Sequence, residues 1–213
     1  GVEGQMLSGA MCAAIVGAYC TWLPGPILIL ACLLAGMIGG GLTFLLCTYL
    51  KSRFGASEVI TCIMMNNIMD KVTEWLCNGP LKPEGVSIGQ TKEITEAAYL
   101  TAIIPRTKLT WAFPLAVLCC IVIYVVMEKT VVGYEMRITG TNRVASVVAG
   151  IRTNRIYYLA TCLSGAFAGL GGAGLVMGIY HRFIDGITSG VGFVGVSVAA
   201  LAAYSPLAVP VSG

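Results

Sequence analysis

The chain is 213 residues long, 57% of them apolar, with 13 Lys/Arg against 10 Asp/Glu and a formal net charge of +3. A mean hydropathy of +0.85 with only 11% charged residues excludes an ordinary soluble domain. A small positive excess that follows no run of Lys or Arg leaves a nucleic-acid partner without an electrostatic footprint, and the chain reads as an integral membrane protein.

A helix needs about 20 apolar residues to cross the roughly 30 Å hydrocarbon layer, because lipid offers its backbone no hydrogen-bond partners. Residues 6–23 fall slightly short of this, while residues 26–50, 111–127 and 156–178 meet it. Trp22 and Trp111 stand at segment ends, where an indole ring keeps its N–H at headgroup level. The glycines at 36, 39, 40 and 41 mark close helix packing or a bend.

Residues 57–74 are apolar enough to enter the bilayer but carry Glu58, Asn66, Asn67 and Asp70, a costly set unless these groups face protein or water. At 100° per residue, Glu58, Cys62, Asn66, Asp70 and Thr73 gather on one side; Ile60, Met64, Met65, Ile68 and Val72 gather on the other. Such a stripe either lines a polar path or makes interhelical hydrogen bonds. Residues 75–110 hold alternating charges and Pro/Gly turns and predict a folded loop outside the bilayer.

Between the apolar runs at 111–127 and 156–178 lies a polar, partly basic connection at 128–155. Within it Asn142 has the chemistry of a helix N-cap and Gly150 suits the left-handed residue just past a helix end. Val144, Val147, Val148 and Ile151 recur at i, i+3, i+4 and i+7, one apolar stripe on a short helix. This element either lies on lipid headgroups or inserts into a partner's groove.

Along 156–178, Gly165, Gly169, Gly174 and Gly178 give two G-x-x-x-G spacings, which predict a face for close helix approach. The G-x-G-x-x-G formed by Gly169, Gly171 and Gly174 follows no strand and is not a dinucleotide site. Residues 188–204 open on Gly190, Gly192 and Gly195 and end before Ser205-Pro206, the pattern of a broken or re-entrant helix that lines a cavity. Taken together, these segments predict an all-α, polytopic transmembrane helical bundle, a single domain over 1–213 with about six membrane segments including one broken or re-entrant helix.

For orientation, Lys51, Arg53, Lys129, Arg137, Arg143, Arg152 and Arg155 fall on one side, and Lys82, Lys92, Arg106, Lys108 and Arg182 on the other. Seven against five places the 128–155 connection in the cytoplasm and the 75–110 loop outside. Eight of the nine cysteines sit inside apolar runs, Cys77 alone in a polar stretch, and there is no C-x-x-C and a single histidine. They read as small core hydrophobes without a metal site. No nucleophile–base pair, carboxylate dyad or phosphate loop is evident, and His181-Arg182 reads as a surface pair. If ATP drives the chain, the nucleotide and its Mg are bound by a separate ATPase, and this chain is a transport subunit without a catalytic site of its own.

Several stretches in order carry a family resemblance: G-V-E-G-Q-M at 1–6, E-V-I-T-C-I-M-M-N at 58–66, G-P-L-K at 79–82, G-Y-E-M-R and G-T-N within 133–142, A-G-I at 149–151, H-R-F at 181–183 and G-V-G-F-V-G-V at 190–196. The chain resembles the membrane permease subunits of ATP-binding-cassette importers, in the branch related to ribose and branched-chain amino-acid permeases. Within that branch it is most similar to nucleoside and simple-sugar permeases. Val194 stands where the family pattern has an acidic residue. The resemblance implies a chain truncated at both ends relative to the family.

It further implies a multi-pass protein of the bacterial cell membrane that pairs with a second permease subunit, receives solute from an extracytoplasmic lipoprotein and engages cytoplasmic ATPases. By this likeness Gly133, Glu135, Arg137, Gly140, Asn142, Val144, Val147, Val148 and Ile151 form the ATPase-coupling element. The expected solute path is Glu3, Gln5, Glu58, Asn66, Asn67, Asp70 and Phe193, since amides can bond a ribose or base edge and an aromatic ring can stack on a base. The alternative is a self-contained secondary transporter or channel, which needs an ionisable relay deep in the bilayer; a non-transporting scaffold is a third reading.

Overall fold

The computed structural model describes residues 2–83, 85, 86, 88–101, 110–202, 205, 206 and 208–212. In chain order the helices are α1 (Val2–Tyr19), α2 (Gly25–Phe54), α3 (Glu58–Asn78), α4 (Ala112–Lys129), α5 (Val131–Thr141), α6 (Arg143–Val148), α7 (Thr153–Leu175), α8 (Val191–Leu201) and α9 (Val209–Ser212). A 3-10 turn at Glu96–Ala98 and a π-helical turn at Val176–Tyr180 complete the regular structure among the described residues. Named elements there are all helical, as the apolar patterning predicts, and a lone antiparallel bridge joins Gln90 to Ile184.

The small-residue stripes bring α1, α2 and α7 into backbone contact. A Cβ added at Gly169 would lie 2.1 Å from the Gly36 carbonyl oxygen, and one at Gly40 2.3 Å from that of Gly165. One at Gly9 would lie 2.3 Å from the Gly169 Cα, and one at Gly172 2.2 Å from the Met6 oxygen. No side chain fits at these crossings. In lipid, where apolar burial gives helices little reason to associate, such close approach supplies the dispersion contacts that hold them together. Gly174 behaves differently: its Cβ would make an ordinary 3.6 Å contact with Ala112. The packing face predicted from 165, 169, 174 and 178 therefore turns onto Gly172, while Gly178 abuts Thr110 outside that interface.

Register fixes direction. Gly36 meets Gly169, Gly40 meets Gly165 and Lys51 meets Tyr157, so α2 and α7 run antiparallel. Ser8 bonds Thr43 while Gly17 touches Cys32, so α1 and α2 do likewise. One end of the bundle carries Lys51, Tyr157 and the α5–α6 segment; the other is closed by the chain around 88–101 and 181–187. There the Thr91 N–H donates to the Phe183 carbonyl (2.9 Å), Ile94 to His181 (2.9 Å) and Leu100 to Met177 (3.0 Å). Ile94, Ala98, Leu100, Phe183 and Ile187 are buried with Leu7, Met11 and Leu28 in one core.

Three helical stretches are long and apolar enough to cross a membrane: Gly25–Phe54, Ala112–Lys129 and Thr153–Tyr180. That is fewer than the expected six, for physical reasons visible in each remaining helix. The first turn of α1 carries Glu3 and Gln5, α3 carries Glu58, Asp70, Lys71 and Glu74, and α8 has only 11 residues, about 16 Å of helix. The predicted loop at 75–110 also starts later, because α3 continues to Asn78, which makes Cys77 a fully buried residue rather than a polar-loop one. Arg106, Lys108 and Tyr204, used in the sequence reading, lie outside the described residues.

Candidate functional site

Two places in the bundle gather the residues singled out by the sequence. The first is where α1 and α8 begin. Glu3, in the first turn of α1, accepts the Gly190 N–H on Oε1 (2.9 Å) and the Gly192 N–H on Oε2 (3.0 Å). One carboxylate thus serves the positive ends of two helices. Gly190 adopts φ 85°, and a Cβ at Gly192 would sit 2.5 Å from Glu3 Oε2, so glycine is required at both for different reasons. From the other side, Asn66 of α3 accepts the Gly4 N–H on Oδ1 at 2.9 Å. Gln5 beside it is buried, 3% exposed.

Asn66 lies eight residues along α3 from Glu58, which is about 12 Å at the helical rise. Glu58 itself pairs with Lys51, accepts the Tyr157 hydroxyl at 3.1 Å, and the Lys51 ammonium stands 4.8 Å above the Tyr157 ring. Two helix starts are therefore set in from the ion-paired end, in a zone supplied with amides and backbone N–H groups. Phe193 follows on α8 and is 67% exposed.

The structure brings Glu3, Gln5 and Asn66 together with the α8 start that leads to Phe193. Asn67 is exposed, its Nδ2 donating to the Ile63 carbonyl (3.2 Å); Asp70 lies 3.7 Å from the Lys71 ammonium; Glu58 belongs to the ion-paired end. Among the described residues no group of three His, Cys, Asp or Glu side chains converges in metal-binding fashion. The Lys51–Glu58–Tyr157 cluster escaped the sequence reading, although a Lys closing one helix and a Glu opening the next across a short connection was a usable signal. His181 stacks on Tyr99 with centroids 3.9 Å apart, and Arg182 pairs with Glu93 at 2.5 Å, so the presumed surface pair is a structural junction of the closed end.

The second place is the α5–α6 connection. Thr130 caps α5, its hydroxyl accepting the Gly133 N–H at 3.2 Å, and α5 folds back so tightly that a Cβ at Gly133 would be 2.3 Å from the Val126 oxygen. Arg137 braces this corner by donating to the Met127 carbonyl (3.0 Å) and pairing with Glu128 (2.6 Å). Glu135 is half-buried and Gly140 open to its surroundings.

Asn142 ends α5 and starts α6, its Oδ1 accepting the Val144 and Ala145 N–H groups at 3.0 and 3.1 Å. At the other end the Gly150 N–H donates to Val147 and the Ile151 N–H to Ser146, both at 3.0 Å, with Gly150 at φ 79°. That is a Schellman closure, so a six-residue helix is capped at both ends. It presents Val144, Val147 and Val148 at 75%, 58% and 84% exposure, with Ile151 half-buried. A rigid, capped helix with bare valines has the form of an insert for an apolar groove.

Comparison with known proteins identifies the family of the chain. The family model described as "Branched-chain amino acid transport system / permease component" matches residues 1–213. The chain is 33% identical over 206 residues to the guanosine ABC transporter permease protein NupP of Bacillus subtilis, covering 94% of this chain and 58% of that protein. It is 28% identical over 227 residues to the glucose ABC transporter permease protein TsgB13 of Haloferax volcanii, covering 100% and 58%. It is also 28% identical over 218 residues to the nucleoside ABC transporter permease protein NupB of Lactococcus lactis, covering 98% and 60%. The chain thus spans under two thirds of the length of these relatives. No solved structure matches it.

Proposed function

The chain belongs to the branched-chain amino acid transport system permease component family, and on that premise we propose that it is a membrane-spanning subunit of an ATP-driven importer for a nucleoside or related small polar solute. Two of the three relatives described above carry guanosine or nucleoside in their names and one carries glucose. The solute class follows from those names together with the chemistry at the start of α8. In this reading α1, α3 and α8 enter the bilayer beside the three long apolar stretches, with α8 as the half-helix of the path. Glu3, Gln5, Asn66 and Phe193 line it; Asn67, Asp70 and Glu58 border it. Residues 1–213 act as one permease domain.

The observation that carries the coupling assignment is the capped α6 with its exposed valines. An external ATPase that binds ATP and Mg would hold Val144, Val147, Val148 and Ile151 in a groove, the helix-in-groove mode. Closing two such ATPases on nucleotide draws the α6 helices of two permease subunits together and biases the bundle between inward- and outward-open states. The α5–α6 end then faces the cytoplasm, in accord with its basic residues. The closed end around 88–101 and 181–187 faces outward and receives solute from a lipoprotein receptor, in a bacterial cytoplasmic membrane.

The test is uptake into proteoliposomes that hold the full-length chain with its companion permease and ATPase and are supplied with receptor and radiolabelled guanosine or glucose. Uptake that requires ATP inside the assay's cytoplasmic compartment is expected, with guanosine preferred. Uptake by the chain without ATPase, driven by a proton or sodium gradient, would replace this reading with that of a secondary transporter.

A further inference from the structure

Beneath α6, at the ion-paired end of the bundle, lies a cavity of about 350 Å³ lined by Lys51, Ser52, Arg143, Asn154, Tyr157 and Tyr158. Its walls come from three elements: the last turns of α2, the first residue of α6 and the first turns of α7. The two cations are held differently. Lys51 is fixed by Glu58 and by the Tyr157 ring, which leaves its charge largely compensated. Arg143 donates to the neutral Asn154 Oδ1 at 3.3 Å and forms no ion pair among the described residues. A guanidinium oriented by an amide, without a carboxylate partner, on the wall of a polar cavity has N–H donors and charge free to meet an anion.

The kind of anion follows from the rest of the lining. Ser52 supplies a hydroxyl and Lys51 retains N–H donors, a set suited to the several oxygens of a phosphate. The two tyrosines stand where α2 and α7 leave their apolar stretches, the level at which aromatic rings meet lipid headgroups. Basic pockets between membrane helices take anionic headgroups by the same physics. Among the described residues no hydrogen bond joins α6 directly to α2, so a group seated here bridges Arg143 to Lys51 and Ser52. We propose that this cavity binds a phosphate group, that of an anionic phospholipid headgroup, and that the bound group ties α6 to the bundle. The proposal needs the chain to sit in a bilayer but does not depend on which solute it moves.

The experiment is native mass spectrometry of the full-length chain released from nanodiscs of phosphatidylglycerol or of phosphatidylcholine, with and without millimolar inorganic phosphate. Retention of phosphatidylglycerol over phosphatidylcholine is expected, reduced roughly fivefold or more in R143Q, the scale of one basic residue at an anionic surface, and largely kept in R143K. Loss of that retention when inorganic phosphate is added identifies the same site as one also open to free phosphate. A second variant, Asn154→Ala, frees the guanidinium without removing charge and lowers retention less than R143Q. Equal retention of the two lipids, or unchanged phosphatidylglycerol retention in R143Q, overturns the proposal. Because the readout is bound lipid and not uptake, its failure leaves the permease reading untouched, and the reverse also holds.

Discussion

Glu3 crowds Gly192 as it binds it: Glu3 Oε2 accepts the Gly192 N–H at 3.0 Å and would lie only 2.5 Å from a Cβ on residue 192, too close for any side chain there. The same carboxylate serves Gly190, so a single side chain of α1 organises the start of α8 across nearly the whole chain. Replacing Glu3 by Gln substitutes an N–H₂ for one acceptor and sets donor against donor. Each charge-assisted bond of this kind is worth about 1.5–3 kcal/mol. Glu3→Gln and Gly192→Ala each lower the thermal midpoint of the full-length protein in detergent, and the double variant loses less than the sum, because both break the same contact. Strictly additive losses would show that the two residues act separately.

Glycine content alone does not say which glycine matters, and the packing does. Gly169→Ala forces a Cβ to 2.1 Å from the Gly36 oxygen, backbone against backbone, and separates α2 from α7. Overpacking of this sort costs about 1–3 kcal/mol or more. Gly174→Ala makes only a 3.6 Å contact with Ala112. Folded yield of the full-length protein falls severalfold for Gly169→Ala and stays near wild type for Gly174→Ala; equal behaviour of the two would contradict the packing described.

That contrast also marks how far the sequence could be read. Capping chemistry is local, so Asn142, Gly150 and the valine stripe of α6 were legible from residue type and spacing. The G-x-x-x-G spacing found α7's packing helix but not its turn onto Gly172, because the partner's path decides which glycines are used. At the proposed path, Glu3 and Asn66 were named for their polarity, yet their partners are backbone N–H groups of Gly190, Gly192 and Gly4, which no pattern of side chains encodes. Cys77 was misplaced because α3 runs further than its apolar stretch.

Asn66→Leu removes the acceptor of the Gly4 N–H and one amide from the proposed path. Guanosine uptake by the reconstituted complex falls at least about tenfold, consistent with an unsatisfied buried donor and a lost solute contact. Co-purification with the ATPase stays intact. Normal uptake in this variant removes Asn66 from the path.

Asn142→Ala strips the two N–H groups of Val144 and Ala145 of their acceptor. Loss of such a cap costs about 1 kcal/mol, which raises amide hydrogen exchange across residues 143–148 roughly fivefold while exchange in α2 and α7 is unchanged. Exchange in α6 equal to wild type would mean that the cap does not hold the helix.

The central claim is that an ATPase grips α6 through its bare valines, and Val147→Asp tests it most directly. The side chain is 58% exposed, so aspartate is tolerated by the permease fold itself. In the reconstituted full-length complex, receptor- and solute-stimulated ATP hydrolysis measured beside ATPase co-purification should fall by roughly thirtyfold, the scale of a lost interface hot spot. Wild-type stimulation with full ATPase retention in Val147→Asp would contradict the assignment of α6 as the coupling helix.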